Sequence, residues 1–227
     1  MTSTAVPADL AVRAAQAVAA RDGLFWLRFV QTRDEADPGN AVKPFPVTTP
    51  YVRELWRLLD REQRLVIAKS RQMMVSWCVA AYAVWWARYR PNQAVYYQTK
   101  QWEDAVAMIS MPEGGFEGRC QFLETHLPAW LHVEHKASEG RIQYANGSII
   151  QALAGGADKI RGKVASVVIE DEFAMQEDQR GVYTAVAPLI QKGSKAIFVS
   201  TPNGSDNYFA TLWHGRDMSE ASKGELG

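Results

Sequence analysis

The stretch that most constrains this chain is Leu65 to Trp77, LVIAKSRQMMVSW. Four apolar residues, Leu65 to Ala68, run into a polar turn of Lys69, Ser70, Arg71 and Gln72, and an apolar segment with helical spacing follows from Ser76 to Arg88. That order reads as strand, anion-binding loop and helix. Backbone N–H groups at a helix start point at phosphate, a lysine neutralises the β- and γ-phosphates, and a hydroxyl in the first helical turn reaches magnesium. Ser76 stands in the hydroxyl position, and Lys69, at the front of the loop, is the nearest lysine. The usual G-x-x-x-x-G-K-[ST] spacing is not met, because Met74 and Val75 occupy the places of its second glycine and its lysine. Taken alone, the stretch also reads as a buried strand and a helix with solvated Lys and Arg between them.

A length of 227 residues suits one sizeable domain, or one domain with an extra arm. Lys and Arg number 25 against 25 Asp and Glu, so a strongly basic body that grips nucleic acid unaided is not indicated, and a local basic patch is the remaining route. The two cysteines, Cys78 and Cys120, match neither a zinc spacing nor a disulfide framework, which points to a reducing interior. No stretch reaches the ~18 to 20 uninterrupted apolar residues of a membrane span. The first residues, MTSTAVPADL, lack the basic region and apolar core of a secretory signal. A cytoplasmic setting without a membrane is expected.

Residues 9 to 22 are Ala-rich with Asp9 as a fair N-cap, and residues 1–30 are expected to form a helical arm or subdomain. Residues 31–49 carry three prolines and a Pro-Gly pair, so a long irregular loop is expected there, able to hold a linker or a nucleotide-base pocket. From residue 50 the pattern becomes that of one domain running to residue 227. Pro50 to Arg61 reads as a helix with Pro at its start. Ala94 to Thr99 reads as a strand, and residues 101–111 as a helix stopped by Pro112-Glu113-Gly114-Gly115. Arg141–Ala145 and Ser148–Ala152 flank Asn146-Gly147, a hairpin signal that suits a type I′ turn. Two further apolar strands, Ser166–Ile169 and Lys195–Val199, enclose a helix at Gly181–Gln191. Strands that alternate with helices and run nearly all-apolar predict an α/β fold with a mainly parallel central sheet flanked by helices.

Ligands of open α/β sheets sit at the carboxyl ends of the strands. Three predicted strand ends carry polar groups: Lys69 to Ser76, Glu170-Asp171-Glu172, and Ser200-Thr201-Pro202-Asn203-Gly204. Each by itself is compatible with a solvated loop. An apolar strand ending in Asp-Glu has a defined role in nucleotide hydrolysis, the Asp holding Mg²⁺ through the Ser/Thr shell and the Glu polarising the attacking water.

Together these residues resemble the ATPase domain of the large terminase subunit, the DNA-packaging motor of tailed phages. Ser70-Arg71-Gln72 matches the S-R-Q core of that family's deviant Walker A motif, and Lys69 takes the front position that some members use. Val167-Val168-Ile169-Glu170-Asp171-Glu172 matches its Walker B motif, Ile160-Arg161-Gly162 its Arg-Gly loop, and Ser200-Thr201-Pro202-Asn203-Gly204 its coupling motif. The matches span about residues 50 to 215 in the family's order. The resemblance implies a P-loop NTPase of the additional-strand (ASCE) type that binds ATP and Mg²⁺. In it Lys69 would meet the β/γ-phosphates, with Ser70, Gln72, Met73, Met74, Val75 and Ser76 forming the rest of the cradle. Ser76 and Asp171 would hold the metal, Glu172 would orient water, and Arg71 would act as a cis arginine. Ser200, Thr201 and Asn203 would report the γ-phosphate state, and Arg161 is a candidate contact to phosphate or DNA. The implied partners are double-stranded DNA, the portal protein, the small terminase subunit and further copies of the chain in a ring, at the procapsid portal vertex in the host cytoplasm. The family's adenine-contact Gln has no match, since Val52 and Arg53 occupy its region and Gln63 lies too close to the strand. Its ribonuclease-H-like nuclease follows the ATPase, and with Gly227 so soon after the coupling motif no nuclease activity is expected from this chain.

Other residues carry less. His132 and His135 lack partner ligands for a metal. At least one of Trp85 and Trp86 is expected to pack on the sheet rather than on a nucleic-acid base. Lys159, Arg161 and Lys163 read equally as a phosphate grip and as a solvated loop. Arg119 and Arg141 are candidate trans arginines for a neighbouring subunit. Two alternatives to a packaging motor stay open: the first motor domain of a helicase-like translocase, and a nucleotide-binding scaffold that has lost hydrolysis.

Overall fold

Successive residues of the central strands are apolar on both faces, so each strand must be covered from two sides. In the computed structural model of the chain, which describes residues 8–34, 37–70, 73–111, 117–215 and 222–225, an eight-stranded sheet meets that requirement. Numbered in chain order and taken across the sheet, the strands are β10 (Ser222–Glu225), β3 (Arg64–Ala68), β9 (Lys195–Ser200), β8 (Val167–Glu170), β4 (Ala94–Gln98), β7 (Ile149–Leu153), β6 (Arg141–Tyr144) and β5 (His135–Ser138). The pairings from β10 through β7 are parallel, and those of β6 with β7 and β5 are antiparallel. The expected mainly parallel α/β sheet is therefore present. The strand that ends in Asp171-Glu172 does not touch the strand before Lys69; β9 lies between them.

Leu65, Ile67, Val95, Tyr97, Ile169 and Val199 face one helical layer, of α3 (Pro50–Arg61), α4 (Val75–Tyr89), α5 (Trp102–Ile109) and α6 (Arg119–Thr125). Their alternates Val66, Tyr96, Val168 and Phe198 face α7 (Ala157–Ile160), α8 (Gln179–Gln191) and α9 (Tyr208–Trp213). In α3, Val52, Leu55, Trp56 and Leu59 form one buried stripe, and each such large side chain contributes about 1.5–3 kcal/mol by leaving water. Helix α4 is buried almost all round, from Val75 to Trp85, as its lack of charge before Arg88 requires. Across its far end Arg88 donates to Glu124 of α6, which also accepts from the Tyr144 hydroxyl at 2.8 Å, so one fully buried polar group ties α4, α6 and β6 together.

Helices α1 (Ala8–Arg21) and α2 (Gly23–Leu27) join this layer through fully buried Trp26 and Leu27. Trp85 donates its Nε1 to the Ala19 carbonyl at 2.9 Å and meets Trp56 edge-on, with ring centroids 5.7 Å apart. Its partners are thus the N-terminal helices and α3.

Two expectations need correction. Residues 31–49 are not irregular throughout, because β1 (Gln31–Arg33) and β2 (Val42–Pro44) pair as an antiparallel ribbon. Its prolines lie in the connecting turn, at the end of β2 and beyond it, where no ladder donor is lost. The 141–153 hairpin forms, but its turn is not type I′: only Gly147 has positive φ, +85°, and the Gly147 N–H donates to the Tyr144 carbonyl at 3.1 Å. That is a three-residue loop closed by a left-handed glycine. It leaves the Asn146 amide free to donate to the carbonyls of Ala87, Arg88 and Arg90, at 3.0 to 3.2 Å, capping the end of α4.

Helices α6 and α9 and strands β5 and β10 are short and weakly patterned, so the sequence alone does not predict them. The expected stop at Pro112–Gly115 lies outside the described residues. Among the described residues no helix is long and apolar enough to cross a membrane.

Candidate active site

The strand β3 ends at Ala68, and the Lys69 N–H continues its ladder to the Ser200 carbonyl at 3.0 Å. This bond seats the start of the loop beside the Ser200–Gly204 segment. Arg71 and Gln72 lie outside the described residues. Met74 caps α4 with φ +57° and ψ 5°, a left-handed conformation that glycine adopts freely and methionine rarely does. Met74 thus takes the backbone shape that the second glycine of a phosphate loop supplies. Ser76 follows in the first turn of α4.

Four side chains from two strand ends converge here. Lys69 Nζ lies 2.7 Å from Glu172 Oε1, 3.3 Å from Ser76 Oγ and 3.7 Å from Asp171 Oδ1. Ser76 Oγ donates to Asp171 Oδ2 at 3.1 Å, and the Glu172 N–H donates to Asp171 Oδ1 at 2.9 Å. Glu172 is the second non-glycine residue of the site with positive φ, +50°. Such backbone persists where surrounding bonds over-determine it. Here the 3-10 turn Phe173–Met175 follows at once, and the Ala174 N–H is held by Ser200 Oγ at 3.0 Å.

The coupling-motif residues meet the same carboxylate. Glu172 Oε2 lies 3.4 Å from the Thr201 N–H and 3.5 Å from Ser200 Oγ. Asn203 donates its amide to the Ala174 carbonyl at 3.4 Å. Gln179 bonds the same carbonyl at 3.0 Å and accepts from the Phe209 N–H at 2.8 Å, so the turn after Glu172 is linked to α9.

A cleft of about 930 Å³ opens over the loop, lined by Lys69, Ser70, Met73, Met74, Val75, Ser76, Glu172 and Thr201, and on its far wall by Arg33, Lys43 and Arg119. The β1–β2 ribbon thereby adds two cations that no motif had indicated. Arg119 lines this cleft of its own chain, whereas Arg141 sits on β6 with its Nη1 3.5 Å from Gln151 Oε1. Arg161 is exposed, paired with Asp158 at 2.7 Å, and is not among the cleft-lining residues. Gln63 donates to the Ile190 carbonyl at 2.7 Å, at the opposite end of the sheet. His132 and His135 each bond a separate backbone carbonyl, of Leu127 and Val133.

One residue of the site carried no signal in the sequence. Tyr97, fully buried on β4, donates its hydroxyl to Asp171 Oδ2 at 2.6 Å. Burial, and then the neighbouring Asp171 charge, push that hydroxyl well above its ordinary pKa, so it is a neutral donor. On the other face of the same strands Glu170 is fully buried, and burial pushes its carboxyl up to about 8 against the lowering effect of the Gln176 amide.

The donor set fits Mg²⁺. One carboxylate and one hydroxyl, already 3.1 Å apart at the head of a helix, are hard oxygen ligands, and magnesium usually takes one or two protein oxygens and completes its shell with water and phosphate.

A phosphate-type loop between strand and helix, an Asp-Glu strand end, and a third strand inserted between them define a P-loop NTPase fold of the additional-strand type. Within that class, residues 66–223 match the family described as terminase large subunit, T4likevirus-type, N-terminal. The chain belongs to this terminase large-subunit family. It is 28% identical over 165 residues to the Mu-like prophage FluMu protein gp28 of Haemophilus influenzae, and this match covers 67% of the chain but 31% of that relative. The chain thus corresponds to about a third of the length of the curated relative. Among solved structures, the large terminase ATPase domain of Thermus phage P74-26 aligns with a TM-score of 0.51 at 20% identity, over 70% of this chain and 68% of that one. The large terminase of a thermophilic bacteriophage, solved in complex with ADP, aligns at 0.55 and 11% identity, over 77% of this chain and 44% of that one. The HK97 bacteriophage large terminase aligns at 0.55 and 11%, over 73% and 36%. At these identities the likeness is one of fold.

Proposed function

We propose that this chain is the ATPase motor domain of a viral DNA-packaging terminase, coupling ATP hydrolysis to movement of double-stranded DNA into a procapsid. The observation that carries the reading is the convergence of Lys69, Ser76, Asp171 and Glu172 within hydrogen-bonding and ion-pair distance at the carboxyl end of a sheet whose order is that of a P-loop NTPase. Family membership and the ATPase-domain and ADP-complex relatives support it.

In this reading Lys69 leaves Glu172 for the β/γ-phosphates, and the N–H groups at the head of α4 face the same phosphates. Mg²⁺, when bound, supplies charge neutralisation between the phosphates and the carboxylates. Ser76 and Asp171 would hold it. Glu172, freed of the lysine and steadied by Thr201, orients the attacking water and takes its proton. Arg71 serves as the cis arginine on the γ-phosphate. Ser200, Thr201 and Asn203 pass the state of that phosphate to α9. The N-terminal helices α1 and α2 are the arm or subdomain that packs on the ATPase domain beginning at residue 50. The partners are DNA, the portal protein and the small terminase subunit, and a ring of copies works at the portal vertex in the host cytoplasm.

The test is phosphate release by wild type and Glu172→Ala at saturating Mg-ATP, with double-stranded DNA present and absent, and nucleotide binding measured on the same samples. Loss of turnover with binding retained is expected. Turnover of the variant at the wild-type rate would overturn the assignment.

A further inference from the structure

Asp171 is held at both of its oxygens. Oδ1 receives the Glu172 N–H at 2.9 Å and has Lys69 at 3.7 Å. Oδ2 receives Ser76 Oγ at 3.1 Å and Tyr97 Oη at 2.6 Å. Of these four, Ser76 and Lys69 are the groups that must change partners when a metal–nucleotide enters. The Glu172 N–H belongs to a loop held in a rare backbone conformation. Only Tyr97 combines a side chain in the strand layer, no exposure, and a reach to the carboxylate from outside the cleft.

The strand register explains how it gets there. β4 runs parallel to β8 with Tyr97 beside Ile169 and Gln98 beside Glu170, and the Asp171 N–H continues the ladder to the Gln98 carbonyl at 2.9 Å. Tyr97 therefore sits one residue short of the strand end, on the α4 side of the sheet, beneath the carboxylate. Its ring is fixed by burial and has two rotatable bonds, so it holds the hydroxyl in place at small entropic cost. The Asp171 side chain is 6% exposed, which makes a lost donor there hard for solvent to replace.

We infer that Tyr97 is a positioning residue that fixes the orientation of the Asp171 carboxylate, keeping Oδ2 beside Ser76 and so setting the affinity of the site for a divalent cation. This rests on the reading that Ser76 and Asp171 hold Mg²⁺. Without the phenol, Oδ2 loses its 2.6 Å donor and keeps only the longer 3.1 Å contact from Ser76, a group that itself changes partner on metal binding, so the carboxylate is free to turn.

The experiment is a titration of Mg²⁺, and separately of Mn²⁺ followed by electron paramagnetic resonance, against a fixed concentration of fluorescent ADP and the whole chain, for wild type and Tyr97→Phe. The expected result is a rise of about threefold to tenfold in the half-saturating metal concentration, with nucleotide affinity in excess chelator unchanged. Thermal melting on the same samples separates a packing effect, which would lower Tm and leave the metal dependence alone. Should the Phe chain fail to fold, Tyr97→Met fills the space with an unbranched apolar side chain and is read in the same way. Unchanged metal dependence in a folded variant, beside a wild type that responds to metal, would overturn the inference about Tyr97 alone. A wild type that binds nucleotide without any response to metal would overturn the metal reading and this inference with it.

Discussion

Lys69 Nζ and Glu172 Oε1 are 2.7 Å apart, so the lysine assigned to phosphate and the carboxylate assigned to water neutralise each other directly. Under the proposed function, nucleotide competes with Glu172 for the lysine. The pair is unequally wet, the lysine side chain 12% exposed and the glutamate 40%, so its worth is near that of a surface pair, up to about 1 kcal/mol. Glu172→Gln is expected to tighten nucleotide binding by up to about fivefold, the equivalent of that energy, while abolishing turnover. Weaker binding by the variant, in calorimetric titration, would count against the competition.

Lys69→Ala removes the one described lysine of the loop. Calorimetric titration of Mg-ATP should show binding weakened tenfold or more, about 1.4 kcal/mol. An unchanged affinity would return the phosphate role to other cations of the cleft, of which Arg33, Lys43 and Arg119 are on its wall.

Glu170 gives the fold a pH dependence of definite sign. Burial raises its carboxyl from 4.5 to about 8, so between these values the native state holds a proton that the unfolded chain has released. Its contribution to stability is fully present below about pH 4.5 and is lost as pH rises toward 8. The neutral form also suits its neighbours, since Gln98 Oε1 and Gln176 Oε1 have no donor among the described residues. Glu170→Gln should therefore gain on wild type in urea midpoint as pH goes from 5 to 8.5, on the order of a few kcal/mol at most. A difference that is flat with pH would mean the buried carboxyl does not titrate in that window.

Arg88 and Glu124 form an ion pair that solvent does not reach, with side-chain exposures of 0% and 1%. Glu124→Leu alone strands the guanidinium and should cost about 3–5 kcal/mol in chemical denaturation. Removing the whole polar group, in Arg88→Met, Glu124→Leu, Tyr144→Phe, should recover most of that loss. A single variant that loses less than about 1 kcal/mol would show that water reaches Arg88 once its partner is gone.

The Leu65–Ala68 strand, the helix that carries Ser76, the Pro50 helix and the Val167 and Lys195 strands are legible because each is a run of one periodicity bounded by turn residues. The same local reading failed where a tertiary partner chose the conformation. Asn146-Gly147 favours a type I′ turn in isolation, yet here Asn146 is pulled onto the end of α4 and only Gly147 turns left-handed. Residues 31–49 look irregular as a string, but the β1–β2 ribbon packs on α6, where Arg33 lies over the Phe122 ring at 4.6 Å.

Taken alone, the chain determined the kinds of side chain at each strand end: a lysine and a hydroxyl after β3, two acids after β8, hydroxyls and an amide after β9. Those follow from short-range periodicity and from residue chemistry, and they carry the resemblance to terminases as well. Tertiary structure decided which of them meet. Placing β9 between β3 and β8 brings Ser200 and Thr201 onto Glu172, and placing β4 beside β8 brings Tyr97 under Asp171. The physical reason is that strand order is chosen by burying both faces of the whole sheet at once. That condition couples residues about a hundred positions apart, such as Lys69 and Glu172, and no local window of sequence contains it.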